Sequence, residues 1–297
     1  MRLFALCLIL LSLAASPTHA DSLPRAIYVD PPEDAHNPAR LEILRIPSGG
    51  VELNGIAYIP SGAGPHPTVL LLHGMPGNEK NLDLAQSIRR AGWLVVAINY
   101  RGSWGSPGAF HFAQTLEDAD AALAYLRAPA NTARLGADPR RMAIVGHSVG
   151  GWVGAQTLAH DPALLGAALI SPADLAQIAA KGRDSARSFV VDDRESIAET
   201  DSDTLADEMM AHAGDWGMTT LAPRLKDRRL LLLYSHDDYQ PHAVALIDSL
   251  KAAKSKTLTV GYTATDHAWS DHRISLQAQV INWLQSLPQN SASSSLK

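Results

Sequence analysis

The stretch Met142-Ala143-Ile144-Val145-Gly146-His147-Ser148-Val149-Gly150-Gly151 decides how this chain folds. Its first four residues form a continuous apolar run, as expected of a strand buried on both faces. Gly151 to Ala159 reads as a helix, so a strand passes into a helix around a serine. Such a turn holds strained backbone angles at the serine, and glycines two residues to either side remove the β-carbons that would collide there. Gly146-x-Ser148-x-Gly150 is the nucleophile-elbow pattern, which exposes the serine oxygen at its apex. The five-residue pattern alone occurs by accident in about one chain in ten of this length. Its position between strand and helix is what makes it specific.

The same alternation extends outward from the elbow. Upstream, Ile56 to Ile59, Thr68 to Leu72 and Leu94 to Ile98 read as strands, and Asn81 to Ala91 and Thr115 to Arg127 as helices. Downstream come strands at Ala167 to Ile170, Leu230 to Leu233 and Leu258 to Tyr262, with helices at His242 to Ala253 and Arg273 to Leu287. Strands alternating with helices predict an α/β fold with a mostly parallel sheet covered on both faces. One segment breaks the rhythm. Between Pro172 and Lys226 no strand is legible, and helix is expected around Ser196 to Met210, so residues 173–226 read as an inserted helical lid. Asp21 to Pro47 holds several prolines and one short apolar run, Ala26 to Val29. The expected organisation is one domain over residues 21–290 and a frayed tail over 291–297.

The chain has 297 residues, 25 basic against 30 acidic, for a net charge of −5. That balance argues against a nucleic-acid partner, which calls for a basic stripe or patch. The N-terminus sets the expected compartment. Met1-Arg2 supplies a positive start, Leu3 to Ala15 is apolar, and Thr18-His19-Ala20 offers small residues where a signal peptidase reads. The apolar run is too short to span a bilayer, so residues 1–20 read as a cleaved secretory signal, giving a periplasmic or secreted protein without stable membrane association. The one cysteine, Cys7, lies inside that signal, which leaves no disulfide or thiol nucleophile for the mature protein.

A serine hydroxyl needs a base, and the base needs an acid to orient it. After an elbow of this kind the chain order is serine, acid, histidine. The strand Leu230 to Leu233 runs into His236-Asp237-Asp238, and Leu258 to Tyr262 runs into Asp266-His267. Either Asp237 or Asp238 can be the acid by position. His267 is the expected base, because His272 reads as the start of the last helix, whose positive end disfavours an imidazolium. An oxyanion needs backbone N–H donors fixed in advance. Val149, following Ser148, supplies one, and Met75 in His73-Gly74-Met75-Pro76-Gly77 supplies the other, since Pro76 has no N–H.

Together these stretches resemble the α/β-hydrolase fold and, within it, the catalytic domain of the prolyl-oligopeptidase family. The matching residues are Leu71-Leu72-His73-Gly74, Asn99-Tyr100-Arg101-Gly102-Ser103, Gly146 to Gly151, His236-Asp237-Asp238 and Asp266-His267, in family order from about Gly55 to Leu287. The resemblance implies Ser148 as nucleophile, His267 as base and Asp237 as acid; in the family the first of paired aspartates serves, often with a proline four residues on, as Pro241 is here. It also implies that the Asn99 to Gly102 loop lies near the site, where Arg101 either contacts substrate or forms a structural ion pair. The 27 residues between Ala20 and Ser48 are too few for the family's N-terminal propeller.

From Asp192 to Glu208 eight acids face Arg194 alone, which reads either as a solvated helix face or as a negative rim favouring neutral or cationic substrates. Met209, Met210, Trp216 and Met218 either line an acyl pocket or pack the lid onto the body. No calcium loop forms around Asp201 and Asp203, and His236, Asp237, Asp238 and His242 do not have zinc-site spacing, so no metal and no cofactor is expected. The expected function is hydrolysis of a carboxylic ester or, second, a short peptide or amide bond. A hydrolase fold kept as a non-catalytic binding protein is the rival of a different class.

Overall fold

The computed structural model of the protein describes residues 23–191 and 194–289. The expected signal at 1–20 and tail at 291–297 lie outside them. In chain order the elements are β1 (Arg40–Ser48), β2 (Val51–Ile59), β3 (His66–Leu72), α1 (Leu82–Arg90), β4 (Leu94–Ile98), α2 (Phe112–Arg127), α3 (Pro129–Leu135), β5 (Ala137–His147) and α4 (Val149–His160). There follow β6 (Gly166–Ile170), α5 (Leu175–Ala179), α6 (Arg183–Val191), α7 (Ser202–Ala211), α8 (Ala222–Leu225), β7 (Arg229–Ser235), α9 (Gln240–Ala252), β8 (Leu258–Thr263) and α10 (Arg273–Ser286).

The eight strands form one sheet in the order β1-β2-β4-β3-β5-β6-β7-β8. The pairs β1–β2 and β2–β4 are antiparallel, and every other pair is parallel. Side chains alternate across a strand, so each apolar run feeds two cores. Leu70, Leu72, Val96, Ile144 and Leu232 point to the face covered by α2, α4 and α9. Val69, Leu71, Val95, Val145 and Leu233 point to the other face, under Leu84 and Ile88 of α1 and Leu276, Val280 and Leu284 of α10. Burying one such side chain contributes about 1.5–3 kcal/mol, which is why these runs are unbroken. Among the described residues no helix is long and apolar enough to cross a membrane.

The sheet corrects the sequence reading at its N-terminal end. The strand expected at Ile56 to Ile59 begins at Val51, and β1 precedes it across a Gly49-Gly50 turn with φ of 55° and 84°. β1 is an edge strand with one buried face, Leu44, Ile46 and Ser48, while Ile43 is 76% exposed. An edge tolerates Pro47, whose presence hides the strand from a reading of apolar runs.

Among the described residues between β6 and β7 the regular elements are helical, and Ile197 makes an isolated bridge with Ser103. Asp174 begins this insertion. Its Oδ1 accepts from the Ala176 and Gln177 N–H groups, and its Oδ2 from that of Met218. Four of the acids farther along have partners in the structure. Asp203 and Asp207 pair with Arg183, Asp203 also with Arg187, and Asp201 caps α7 through the Thr204 N–H. Glu208 accepts the Phe112 and Ala113 N–H groups at the start of α2, where the helix dipole favours a carboxylate. Met209, Trp216 and Met218 are buried in the main core, with Trp152 Nε1 donating to the Trp216 carbonyl at 2.8 Å.

Candidate active site

The carboxyl ends of parallel strands gather the expected residues, as open α/β sheets do. Ser148 follows β5 with φ 56° and ψ −120°, and its own N–H donates to the Ile170 carbonyl at the end of β6. The glycines around it are required by space. A β-carbon on Gly146 would lie 2.1 Å from the Gly150 carbonyl oxygen, and one on Gly150 would lie 2.3 Å from that of Leu72. The loop after β3 presses against the elbow, with the Cβ position of Gly74 only 2.7 Å from Ser148 Cβ.

Asp237 follows β7 and His267 follows β8. His267 Nδ1 donates to Asp237 Oδ2 at 2.7 Å. The same oxygen accepts from Ser235 Oγ at 2.7 Å, and Oδ1 accepts the Tyr239 N–H at 2.9 Å. Burial alone would raise the Asp237 carboxyl, but the hydrogen bonds from His267 and Ser235 outweigh it and hold the group below its ordinary value. Asp238 is exposed, and His272 caps α10 with its ring paired to Asp271. Of the two pairs, the structure joins Asp237 and His267 to each other.

His267 lies between two rings, with Tyr239 at 4.8 Å and His147 at 4.7 Å between centroids. His147 was not singled out from the sequence. It is buried, its Nε2–H donates to the His267 carbonyl at 2.9 Å, and burial pushes its imidazole down to about 3. It therefore stays neutral and ties the elbow to the loop bearing His267. Nothing in its local sequence distinguishes it from any residue at the middle position of the elbow.

Ser148 and His267 share a cavity of about 260 Å³ whose other walls include Met75, Pro76, Glu79 and Asp266. Among the described residues no hydrogen bond joins Ser148 Oγ to the His267 ring, and none uses the Met75 or Val149 N–H. Ligand-free sites are often looser than the reacting complex. Met209, Met210, Trp216 and Met218 do not line this cavity; Met209, Trp216 and Met218 pack in the core, and Met210 is exposed. Arg101 is structural as well. Buried, it bonds Asp118 through both its backbone N–H and its Nε, and its guanidinium also reaches Glu117. Among the described residues no cluster of three or more His, Cys, Asp or Glu could hold a metal. His242 instead accepts the Asp174 N–H.

No curated protein matches this sequence. Solved structures do, at identities that speak to fold alone. The metagenomic carboxylesterase EstE1 superposes with TM-score 0.62 at 19% identity, covering 85% of this chain and 91% of its own. An esterase from Pyrobaculum calidifontis gives 0.61 at 17%, covering 84% and 87%. The acylaminoacyl peptidase of Pyrococcus horikoshii gives 0.63 at 18% over 86% of this chain, which spans only 43% of that larger protein. A sequence profile described as the alpha/beta hydrolase family matches residues 69–276, from β3 and the elbow through the His267 loop into α10. With most of its length matched, the chain belongs to the alpha/beta hydrolase family and is a hydrolase.

Proposed function

We propose that this protein is an exported serine hydrolase that cleaves carboxylic esters of small molecules, with short peptide or amide bonds as its second substrate class. The observation that carries the reading is the 2.7 Å bond from His267 Nδ1 to Asp237, with Ser148 at a left-handed elbow on the wall of the same cavity. In this reading His267 Nε2 takes the proton from Ser148 Oγ as that oxygen attacks the substrate carbonyl. The Met75 and Val149 N–H groups hold the oxyanion. As the tetrahedral species collapses, the proton passes from His267 to the leaving alcohol, and an acyl-serine remains. Water then attacks that ester with His267 again as base. Asp237 keeps the imidazole oriented and stabilises its charged form.

A cavity of about 260 Å³ is smaller than pockets for drug-sized ligands, about 300–1,000 Å³. That favours short acyl and alcohol groups. The peptidase alternative rests on the likeness to acylaminoacyl peptidase. A fluorophosphonate probe followed by peptide mapping tests the chemistry. The adduct is expected on Ser148, and Ser148→Ala should lower turnover by up to about 10⁶-fold. A folded protein that takes no label would return the binding-protein reading to the front. Export rests on residues 1–20 of the sequence; N-terminal sequencing of protein recovered outside the cytoplasm should begin at Asp21.

A further inference from the structure

We infer that Trp104 and Ser196 are positioning residues that fix the oxyanion loop through the Pro76 carbonyl. The inference rests on the proposed role of the Met75 N–H. Trp104 Nε1 donates to the Pro76 oxygen at 2.7 Å, and Ser196 Oγ donates to the same oxygen at 2.6 Å. The two donors come from segments far apart in sequence, the loop between β4 and α2 and the insertion between β6 and β7. They are also joined to each other, since the Trp104 N–H donates to the Ser196 carbonyl at 3.0 Å.

Packing does not explain Trp104. It is 39% exposed and adopts φ 47°, a left-handed conformation that costs free energy for a residue with a β-carbon. What holds it is polar. Asn99 Nδ2 donates to its carbonyl, and Lys80 Nζ sits 4.1 Å from the centre of its ring while donating to Asn99 Oδ1. The loop is shaped to receive the indole. Gly77 has φ 81°, and a β-carbon there would lie 3.0 Å from Trp104 Nε1 and 2.4 Å from His73 Nδ1.

The other end of the loop is held as well. His73 Nδ1 donates to the Gly74 carbonyl at 2.6 Å, and Tyr100 Oη donates to the His73 carbonyl at 3.3 Å. Met75 therefore lies between two clamps. Oxyanion donors stabilise developing charge only if they need not reorganise during reaction. Pro76 has no N–H, so its carbonyl is the one backbone polar group that residue offers as a handle next to Met75. The insertion is fastened where it acts: the Ala198 N–H donates to the Gly102 carbonyl, and the Phe110 N–H to that of Ala198. The insertion is thus a strut for the oxyanion loop.

The test uses the full-length mature protein, p-nitrophenyl acetate as substrate, phenylboronic acid as a tetrahedral mimic, and fluorophosphonate titration to count active sites. Trp104→Phe and Ser196→Ala should each lower kcat per titrated site by about tenfold, and the double variant by about a hundredfold, because small misplacement of catalytic groups is that costly. KM should stay within about twofold, since the interaction belongs to the transition state. Phenylboronic acid should weaken in step with kcat, and Ser196→Thr, which keeps the hydroxyl, should restore most of it. A purely structural role would lower the count of titratable sites and leave kcat per site and boronate affinity alone; that result overturns the inference. Ser148→Ala separates the levels. If it is inactive while the double variant turns over normally, the positioning roles fail and the hydrolase reading stands; if Ser148→Ala keeps parental activity, the underlying reading fails.

Discussion

Replacing Asp237 by Asn tests the site at the point where spacing offers two candidates and only Asp237 is hydrogen-bonded to His267 among the described residues. Three donors converge on the Asp237 carboxylate: His267 Nδ1 and Ser235 Oγ on Oδ2, and the Tyr239 N–H on Oδ1. An asparagine has one acceptor oxygen for these two sides. If that oxygen stays with Tyr239, the amide NH₂ faces His267 Nδ1, and the imidazole must move its proton to Nε2. It then has no lone pair with which to take the Ser148 proton. If the oxygen turns to His267, two N–H groups face each other at Tyr239, and a donor loses its partner at a cost of about 1–3 kcal/mol. The wrong tautomer costs about 10⁴-fold in kcat, near 5 kcal/mol at 1.36 kcal/mol per factor of ten. Asp238→Asn, at an exposed position, should change kcat by no more than about threefold. The assay is p-nitrophenyl acetate turnover for both variants at pH 7 to 8, normalised to titrated sites, with circular dichroism to establish folding. Retention of more than about a tenth of parental kcat by Asp237→Asn, or a larger loss in Asp238→Asn, would refute the assignment of the acid.

Other consequences concern stability. Burial pushes His147 down to about 3 and His73 down to about 4, both from 6.5. Each folded value lies below the unfolded one, so their contribution is complete above pH 6.5 and is lost as pH falls toward 4 and 3. Denaturant-determined stability should therefore decline between pH 6.5 and 5 by about 1 kcal/mol per pH unit for each such histidine, and His147→Phe should flatten that slope. A slope unchanged by the substitution would show that His147 is not held neutral. Gly150→Ala would place a β-carbon 2.3 Å from the Leu72 oxygen and 2.6 Å from that of His73, both backbone atoms that cannot swing aside. A drop in melting temperature of at least several degrees, or failure to fold, is expected; a parental melting curve would mean the elbow is looser than described. Arg101→Ala leaves Asp118 fully buried without its cation, a loss of about 3–5 kcal/mol by urea unfolding. Retained stability would instead favour a substrate contact for Arg101.

The parts legible in the sequence are those fixed by neighbouring residues. Met142 to Gly151 states its own fold, because a strand ending in glycine, a serine at a strained apex and a following glycine, each clearing space for the turn, are adjacent in sequence. The strands from Thr68 to Leu233 are legible because a strand buried on both faces has no polar alternative to show, while β8, an exposed edge strand, is legible from its β-branched and aromatic residues alone. β1 is not, because an edge strand with one wet face and a proline looks like a loop until β2 pairs with it. The helices of the insertion are visible only in outline, since short segments such as α5 and α8 take their stability from packing rather than from local pattern.

Sequence order alone brings Ser148, an acid after β7 and a histidine after β8 into the family's succession, and that is what suggests the proposed chemistry. Tertiary structure decided what spacing could not. The Asp237 carboxylate meets His267, Ser235 and Tyr239, while its neighbour Asp238 in the same turn is exposed. Arg101 became an ion-pair partner of Asp118, and the acids of α7 became partners of Arg183, Arg187 and the start of α2, rather than a rim for substrate. His147, Trp104 and Ser196 acquired meaning only when distant segments met, at the His267 carbonyl and at the Pro76 carbonyl. The division has one physical cause. A backbone conformation is set by the residues that adopt it, whereas a buried polar group is defined by its partner, and that partner can lie a hundred residues away.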